Sequence, residues 1–101
     1  MQTFFLVTKL SPDSVSDLSN IKENGRRWME AVLMNCPDVK WVGHYALLGQ
    51  YDFISIYEAP DVETAAKVST ISMSLGAQKA ESWPAIPYKE YTKILDSVSL
   101  E

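Results

Sequence analysis

The sequence has very few of the residues that bind metals or form covalent cross-links. Its 101 residues include one cysteine, Cys36, and one histidine, His44. One cysteine excludes an intrachain disulfide, and the two residues together are too few for a zinc site built from several cysteine or histidine side chains. We therefore predict no metal site within one chain, although a site formed by the His44 side chains of two copies stays an alternative. We also expect no cofactor. The absence of a disulfide framework agrees with a reducing cytoplasm.

Positive charge, glycine-rich motifs and long apolar runs are also scarce. Nine Lys and Arg residues against thirteen Asp and Glu residues give a net charge of −4, and only Arg26 and Arg27 are adjacent. This balance argues against a nucleic acid partner, which requires clustered positive charge. The four glycines build no phosphate loop, and the Gly-x-Ser-x-Gly motif of many hydrolases is missing. Residues 1–7 lack the basic segment of a signal peptide and are too few to span a bilayer, so we expect a cytoplasmic protein without a membrane partner.

What remains is the composition of an ordinary folded domain. Apolar residues make up 47% of the chain, and a chain of this length can bury a core without disulfides or metals. We expect one domain over residues 1–101. Chain ends are poorly held unless they are packed, so we expect the tail from about residue 97 to be loosely ordered.

Four segments have the residue types of β-strands, namely residues 3–9, 39–48, 51–58 and 77–85. The first of them is apolar on both alternating sets of side chains, which favours a strand in the middle of a sheet. In the last of them Pro84, with Pro87 shortly after it, favours an edge position or the end of the strand.

Three regions favour helices. In the first, Ser11 can cap a helix that begins at Pro12. Residues 20–25 interrupt its apolar pattern, so this region is either two helical segments or one bent helix ending near residues 35–37. Its early apolar stripe is Val15, Leu18 and Ile21.

The second helix is predicted from residue 62 to about residue 75, with Asp61 as its cap and Gly76 as its stop. We expect its packed stripe to be Val62, Ala65, Ala66, Ser69, Ser72 and Met73. Residues 88–95 favour a short third helix.

The second and third strands form a hairpin that turns at Gly49. A two-residue type II′ turn, with Gly49 at its first central position, or a four-residue loop gives the same register. That register pairs His44 with Ser55. Tyr51 then lies on the face of His44, and Asp52 lies on the opposite face. The other predicted pairs are Ala46 with Phe53, Tyr45 with Ile54, and Gly43 with Ile56.

The element order β-α-β-β-α-β is that of ferredoxin-like domains, an α+β class. We predict a two-layer sandwich in which helices cover one face of a four-stranded antiparallel sheet. Both faces of the hairpin are apolar, yet the helices form only one layer. A second copy of the chain is the simplest cover for the remaining face, so we predict a homodimer packed sheet to sheet.

The hairpin also carries a recognisable motif. Gly-Gln-Tyr-Asp at residues 49–52, followed by Glu-Ala-Pro-Asp at residues 58–61, resembles the signature of the GYD domain family. Leu-Ser-Pro at residues 10–12 and Asn-Ile-Lys-Glu at residues 20–23 extend the resemblance. It implies the dimeric α/β-barrel group of ferredoxin-like folds, and hence a homodimer or higher homo-oligomer. Related barrels include cofactor-independent monooxygenases, chlorite-dismutase-like haem proteins and ligand-sensing regulatory domains, so the resemblance selects no activity.

The candidate site lies around the hairpin. His44 opposite Ser55, with Tyr57 diagonal to them, makes a mixed aromatic and polar patch that can hold a small organic molecule. The alternative is a half-buried histidine satisfied by a hydroxyl group or a carbonyl. Asp52 is either hydrogen-bonded at a strand end or desolvated as a general base. The predicted binding residues are His44, Tyr51, Asp52, Ser55, Tyr57 and Trp83.

Three functions stay open at this stage. The first is a homo-oligomeric domain that binds a small apolar or aromatic molecule. The second is a cofactor-independent monooxygenase-type enzyme, in which His44 is the catalytic residue that orients or deprotonates the substrate. The third is a structural or regulatory assembly domain without a ligand, whose aromatic residues serve only the interface. The sequence does not decide whether the protein is an enzyme.

Overall fold

A computed structural model describes residues 1–15 and 18–100 of the protein, except for the side chains of Ser14 and Val15. The strands are β1 (Gln2–Leu10), β2 (Lys40–Ala46), β3 (Phe53–Ala59) and β4 (Ala77–Ala85). The helices are α1 (Pro12–Val15), α2 (Leu18–Asn35), α3 (Val62–Ser74) and α4 (Tyr88–Leu95). The four strands therefore form where the sequence predicts them, and the two strands of the hairpin stop short of the predicted turn.

The strands form one antiparallel sheet in the order β2-β3-β1-β4. This is the ferredoxin-like arrangement, so the predicted fold class is confirmed. β1 lies in the middle of the sheet, which explains its two apolar faces: Leu6 is buried on one face, and Val7 on the other is only 2% exposed. β4 lies at an edge of the sheet and pairs only with β1. Pro84 has no amide hydrogen to donate, and at an edge this interrupts no hydrogen bonds to a second neighbouring strand.

Helices α2 and α3 cover one face of the sheet. The face beneath them carries Phe4 and Leu6 from β1 and Tyr57 from β3, and these side chains join Val32 and Val68 from the helices in one buried cluster. Burying a side chain of this size contributes about 1.5–3 kcal/mol to folding. The same face carries His44 and Ser55, since both align with Tyr57 through the strand register.

The hairpin has the predicted register, with His44 opposite Ser55 and Tyr45 opposite Ile54. Its turn is the four-residue loop of residues 48–51, closed by a hydrogen bond of 2.8 Å from the Leu47 amide to the Asp52 carbonyl. The type II′ alternative is wrong, because it needs a positive φ at Gly49. Among the described residues only Gly76 has one, at 111°.

β2 contains a bulge that the alternation of side chains did not predict. Trp41 pairs with Tyr57 and Gly43 pairs with Ile56, so Val42 is an extra residue between them. The bulge moves Trp41 onto the helix-covered face, where its ring packs 5.4 Å from that of Tyr57. A strict period of two had placed Trp41 on the other face, with Gly43 and Tyr45.

Helix α2 runs without a break through residues 20–25, so the alternative of two helical segments that separate at these residues is wrong. Local preferences for helix ends are weak compared with the packing of a whole helix face. The helix ends at Asn35, as predicted. Leu18 is 82% exposed and does not join the expected stripe, while Val15 lies outside the described side chains. Spacing predicts the direction of a side chain but not how far the sheet extends beneath it.

Helix α3 begins as predicted, because the carboxylate of Asp61 accepts a 2.8 Å hydrogen bond from the Thr64 amide. Its packed face is rotated from the predicted one: Val68 is buried, whereas Val62 and Met73 are exposed. Ala66, also predicted to pack, is exposed as well, while Ala65 and Ser72 are buried as expected. Small residues occur on every side of this helix, so the pattern of apolar residues alone did not identify its buried side. Within the described ranges, no helix is long and apolar enough to cross a membrane.

Candidate functional site

His44 lies at the rim of a cleft between the sheet and helix α2. The hairpin register places it directly opposite Ser55, and its Nδ1 atom is 2.6 Å from the Ser55 hydroxyl oxygen. Its ring stacks against Phe53 at 5.6 Å and against Trp28 at 5.8 Å. Ser55 is buried, so this contact holds the imidazole in one place while its outer edge stays exposed.

Trp28 is the side chain that α2 contributes to this site. Its indole N–H donates a 2.7 Å hydrogen bond to the hydroxyl of Ser72 on α3. Ser72 in turn donates to the carbonyl of Val68 at 2.9 Å. A buried indole N–H needs such a partner, and the small Ser72 side chain provides it without filling the cleft. The two helices thereby fix the ring that faces His44.

The cleft has a volume of roughly 100 Å³. A closed cavity of about 150 Å³ is known to hold benzene. The cleft is smaller but open, so it can hold one aromatic ring of which part lies inside and part in the opening. The sheet side of the cleft is formed by Thr8, Leu10, His44, Phe53 and Ser55. The helix side is formed by Ile21, Asn24, Gly25 and Trp28, with Ser72, Leu75 and Ala77 closing one end.

The described lining of the cleft carries no charged side chain. Among the residues that the structure describes, none that line the cleft is an Asp, Glu, Lys or Arg. Burial lowers the pKa of His44 from its ordinary value, so the imidazole is uncharged at neutral pH. Nδ1 contacts Ser55, which leaves Nε2 as the ring nitrogen available to another molecule. Since the Ser55 hydroxyl can either donate or accept, Nε2 can serve as acceptor or as donor.

Tyr57 belongs to the core beneath the cleft. Its ring stacks on Phe4 at 5.4 Å, and its hydroxyl lies 2.9 Å from the hydroxyl of Ser82, which is itself 2.8 Å from that of Ser69. Burial raises the pKa of the Tyr57 phenol, so it stays protonated at neutral pH. This side chain supports the face that carries His44 and does not line the cleft.

Tyr51 and Trp83 lie on the other face of the sheet. The Tyr51 hydroxyl donates a 2.6 Å hydrogen bond to Glu81, and the Trp83 indole N–H donates a 3.0 Å bond to the same carboxylate. Their rings meet edge to face at 6.1 Å. Placing Tyr51 on the face of His44 was therefore wrong, because the four-residue loop carries its ring across β1 to β4 instead of extending strand β3.

Asp52 fastens the hairpin loop to the end of β1. Its Oδ2 atom accepts a 2.7 Å hydrogen bond from the Leu10 amide, and its own amide donates to the Thr8 carbonyl at 2.8 Å. Both β1 residues line the cleft, so Asp52 positions one rim of it. The six predicted binding residues thus divide into four places, and only His44 and Ser55 meet at the cleft. A binding role for any of them stays a prediction.

The expected set omitted the helix side of the cleft. Residues 20–25, which include Gly25, were expected only to interrupt a helix, and no binding role was predicted for Trp28. A single sequence does not show that either residue belongs to a binding site, because their position near His44 depends on how α2 crosses the sheet.

Cys36, at the end of α2, is buried, and burial raises the pKa of its thiol. In the part of the chain that the structure describes, no three His, Cys, Asp or Glu side chains come close enough together to hold a metal ion.

Known proteins share this fold. The chain is 32% identical over 87 residues to a protein of Thermus thermophilus named "Glutamine synthetase and cystathionine beta-lyase binding protein", covering 86% of this chain and 90% of that protein. A crystal structure of a protein from Thermus thermophilus superposes with a TM-score of 0.56 at 24% identity, covering 86% of this chain and 95% of the other. A hypothetical protein of Pyrococcus horikoshii superposes with a TM-score of 0.52 at 20% identity, covering 86% and 92%.

The family assignment rests on nearly the whole chain. The model of the GYD domain matches residues 4–95, from the first buried residue of β1 to the last residue of α4. The match includes the hairpin loop whose Tyr51 and Asp52 make the contacts described above. The chain belongs to the GYD domain family.

Proposed function

We propose that the protein is a homo-oligomeric domain that binds a small, neutral, largely apolar or aromatic molecule. The observation that carries the proposal is the cleft in which the Ser55-held imidazole of His44 faces the hydrogen-bonded indole of Trp28. A mostly apolar lining with a few fixed polar groups is the usual composition of a ligand site. The described lining residues carry no charge, which favours an uncharged ligand.

The homo-oligomer is part of the proposal because, in the part of the chain that the structure describes, helices cover only one face of the sheet. Phe5, Ile54 and Ile56 lie on that face, together with the 60% exposed Tyr45. Such a surface is typical of a protein interface. A second copy packed sheet to sheet would cover it, and Trp83 with it, as in the dimeric barrels that the fold resembles.

A titration with p-cresol followed by amide NMR tests the proposed binding. The expected result is a saturable shift of signals around the cleft, including the side-chain N–H of Trp28, with the open face of the sheet unaffected. His44→Ala should weaken binding by about tenfold, the equivalent of one hydrogen bond, while the dispersed spectrum of a folded protein is retained. Shifts scattered over the surface, or none at millimolar probe, would contradict the proposal.

A cytoplasmic location also belongs to the proposal, since the lone thiol of Cys36 is buried and in no disulfide.

Oxygenation of an aromatic substrate is an activity that the same cleft would allow, with neutral His44 as the base. Turnover by the wild type that is lost in His44→Ala, even at substrate concentrations that saturate the cleft of the variant, would distinguish an enzyme from a binding domain.

Binding to another protein is the second candidate. The relative that is 32% identical carries the name of a protein that binds glutamine synthetase and cystathionine β-lyase. In this chain, helix α4 offers an exposed apolar surface that includes Tyr88, Tyr91 and Ile94. Co-elution with either purified enzyme that is lost in Tyr91→Ser would support this candidate, and separate elution of the wild type from both would oppose it.

A further inference from the structure

Neither the backbone conformation nor the packing of the chain requires a glycine at position 25. Gly25 lies in the interior of α2, where glycine destabilises a helix relative to alanine. Its φ is not positive, since Gly76 alone has a positive φ among the described glycines. Among the described residues, and apart from its chain neighbours and the backbone of its own helix, a Cβ atom built on Gly25 would meet no heavy atom within 4 Å. Neither a special backbone conformation nor close packing therefore explains the missing side chain.

The position of Gly25 on the helix supplies a reason. Ile21, four residues before it, and Trp28, three residues after it, lie on the same face of α2, and all three line the cleft of His44. A side chain at this position would stand in the open space at the mouth of the cleft. Glycine keeps that space clear.

The polar groups inside the cleft indicate what enters it. His44 offers Nε2, because its Nδ1 contacts Ser55, and the half-buried side-chain amide of Asn24 lies on the helix side. Both groups can donate or accept a hydrogen bond and neither carries charge. A hydroxyl group attached to a flat ring would bind one of them while the ring packs against Trp28.

We infer that Gly25 is the size-determining residue of this cleft and that the ligand is a neutral aromatic molecule carrying a hydroxyl group. The inference rests on the proposed function. It adds the chemical class of the ligand and the residue, Gly25, that limits entry to the cleft, which we call the gate. The hydroxyl-bearing ring enters past Gly25, and a side chain at position 25 narrows the entrance in proportion to its size without disturbing the packed core.

Gly25→Leu tests the gate, and Gly49→Leu is its matched control. A Cβ on Gly49 also meets no atom within 4 Å, and Gly49 lies outside the cleft. With p-cresol as the probe in amide NMR titrations, Gly25→Leu should weaken binding by at least about tenfold and Gly49→Leu should leave it unchanged. Gly25→Ala is the milder second variant: it should raise the melting temperature by about 4 °C and weaken binding less.

Toluene and 4-methylbenzoate test the ligand class, because they keep the ring of p-cresol and change only its polar group. The expected order of affinity is p-cresol first, with the other two weaker by about tenfold. Equal affinity for 4-methylbenzoate would overturn the assigned ligand class. Wild-type affinity in both Gly25 variants would overturn the gate while leaving the proposed function intact. A wild type that binds none of the three probes would overturn the proposed function, and with it this inference.

Discussion

At the scale of single residues, the partial burial of the His44 imidazole makes the free energy of unfolding depend on pH. The folded-state pKa lies below the ordinary value of 6.5, so below that pH the unfolded chain takes up a proton that the folded chain does not. The stability gained from the neutral imidazole is complete only well above pH 6.5, and it is lost as the pH falls through that value towards the lower folded-state pKa. His44 is the chain's only histidine, and carboxylates titrate mostly at lower pH, so His44 is the side chain expected to dominate this window.

We therefore expect the free energy of unfolding to fall between about pH 7.5 and pH 5.5, where the unfolded histidine titrates. His44→Gln, which keeps a polar group near Ser55 and removes the titration, should flatten this part of the profile. Urea unfolding at a series of pH values measures it. A wild-type profile as flat as that of the variant would show that burial does not favour the neutral imidazole.

At the scale of the elements, the hairpin and β1 are coupled through Asp52. Its carboxylate accepts the Leu10 amide and its backbone donates to Thr8, so the loop and the end of the central strand form one unit. Asp52→Ala should lower the free energy of unfolding by about 1–3 kcal/mol, because a partly buried amide loses its charged acceptor. Asp52→Asn, which keeps an acceptor oxygen, should lose less. Equal losses in urea unfolding for the two variants would show that the hydrogen bond is not the cause.

The same elements show what can be deduced from the sequence. Alternation predicted the strands and the pairing of His44 with Ser55, and the Asp61 cap predicted the start of α3, because each depends on neighbours close in the chain. The bulge at Val42 and the crossing of Tyr51 to the opposite face depend on contacts distant in sequence. The helix side of the cleft was missed for the same reason, since Trp28 reaches His44 only through the packing of α2.

At the scale of the molecule, the proposed homodimer makes a direct prediction about mass. Light scattering at micromolar concentration should give a multiple of the 11.4 kDa chain mass, with twice that mass as the simplest case. Tyr45→Lys should shift the protein towards monomer, because it places a charge on the uncovered sheet face. Met34→Lys is the control, since Met34 is 82% exposed on α2, in the helix layer. A wild-type monomer would contradict the dimer.

The most direct test of the central claim is a crystal structure of the protein soaked with 4-bromophenol, whose bromine can be located by anomalous scattering. The account predicts one bromine position at the cleft, with the ring beside Trp28, the hydroxyl group within hydrogen-bond distance of His44 Nε2, and the Gly25 side of the mouth occupied. A cleft filled by the protein's own side chains, or bromine found only on the uncovered sheet face, would contradict it.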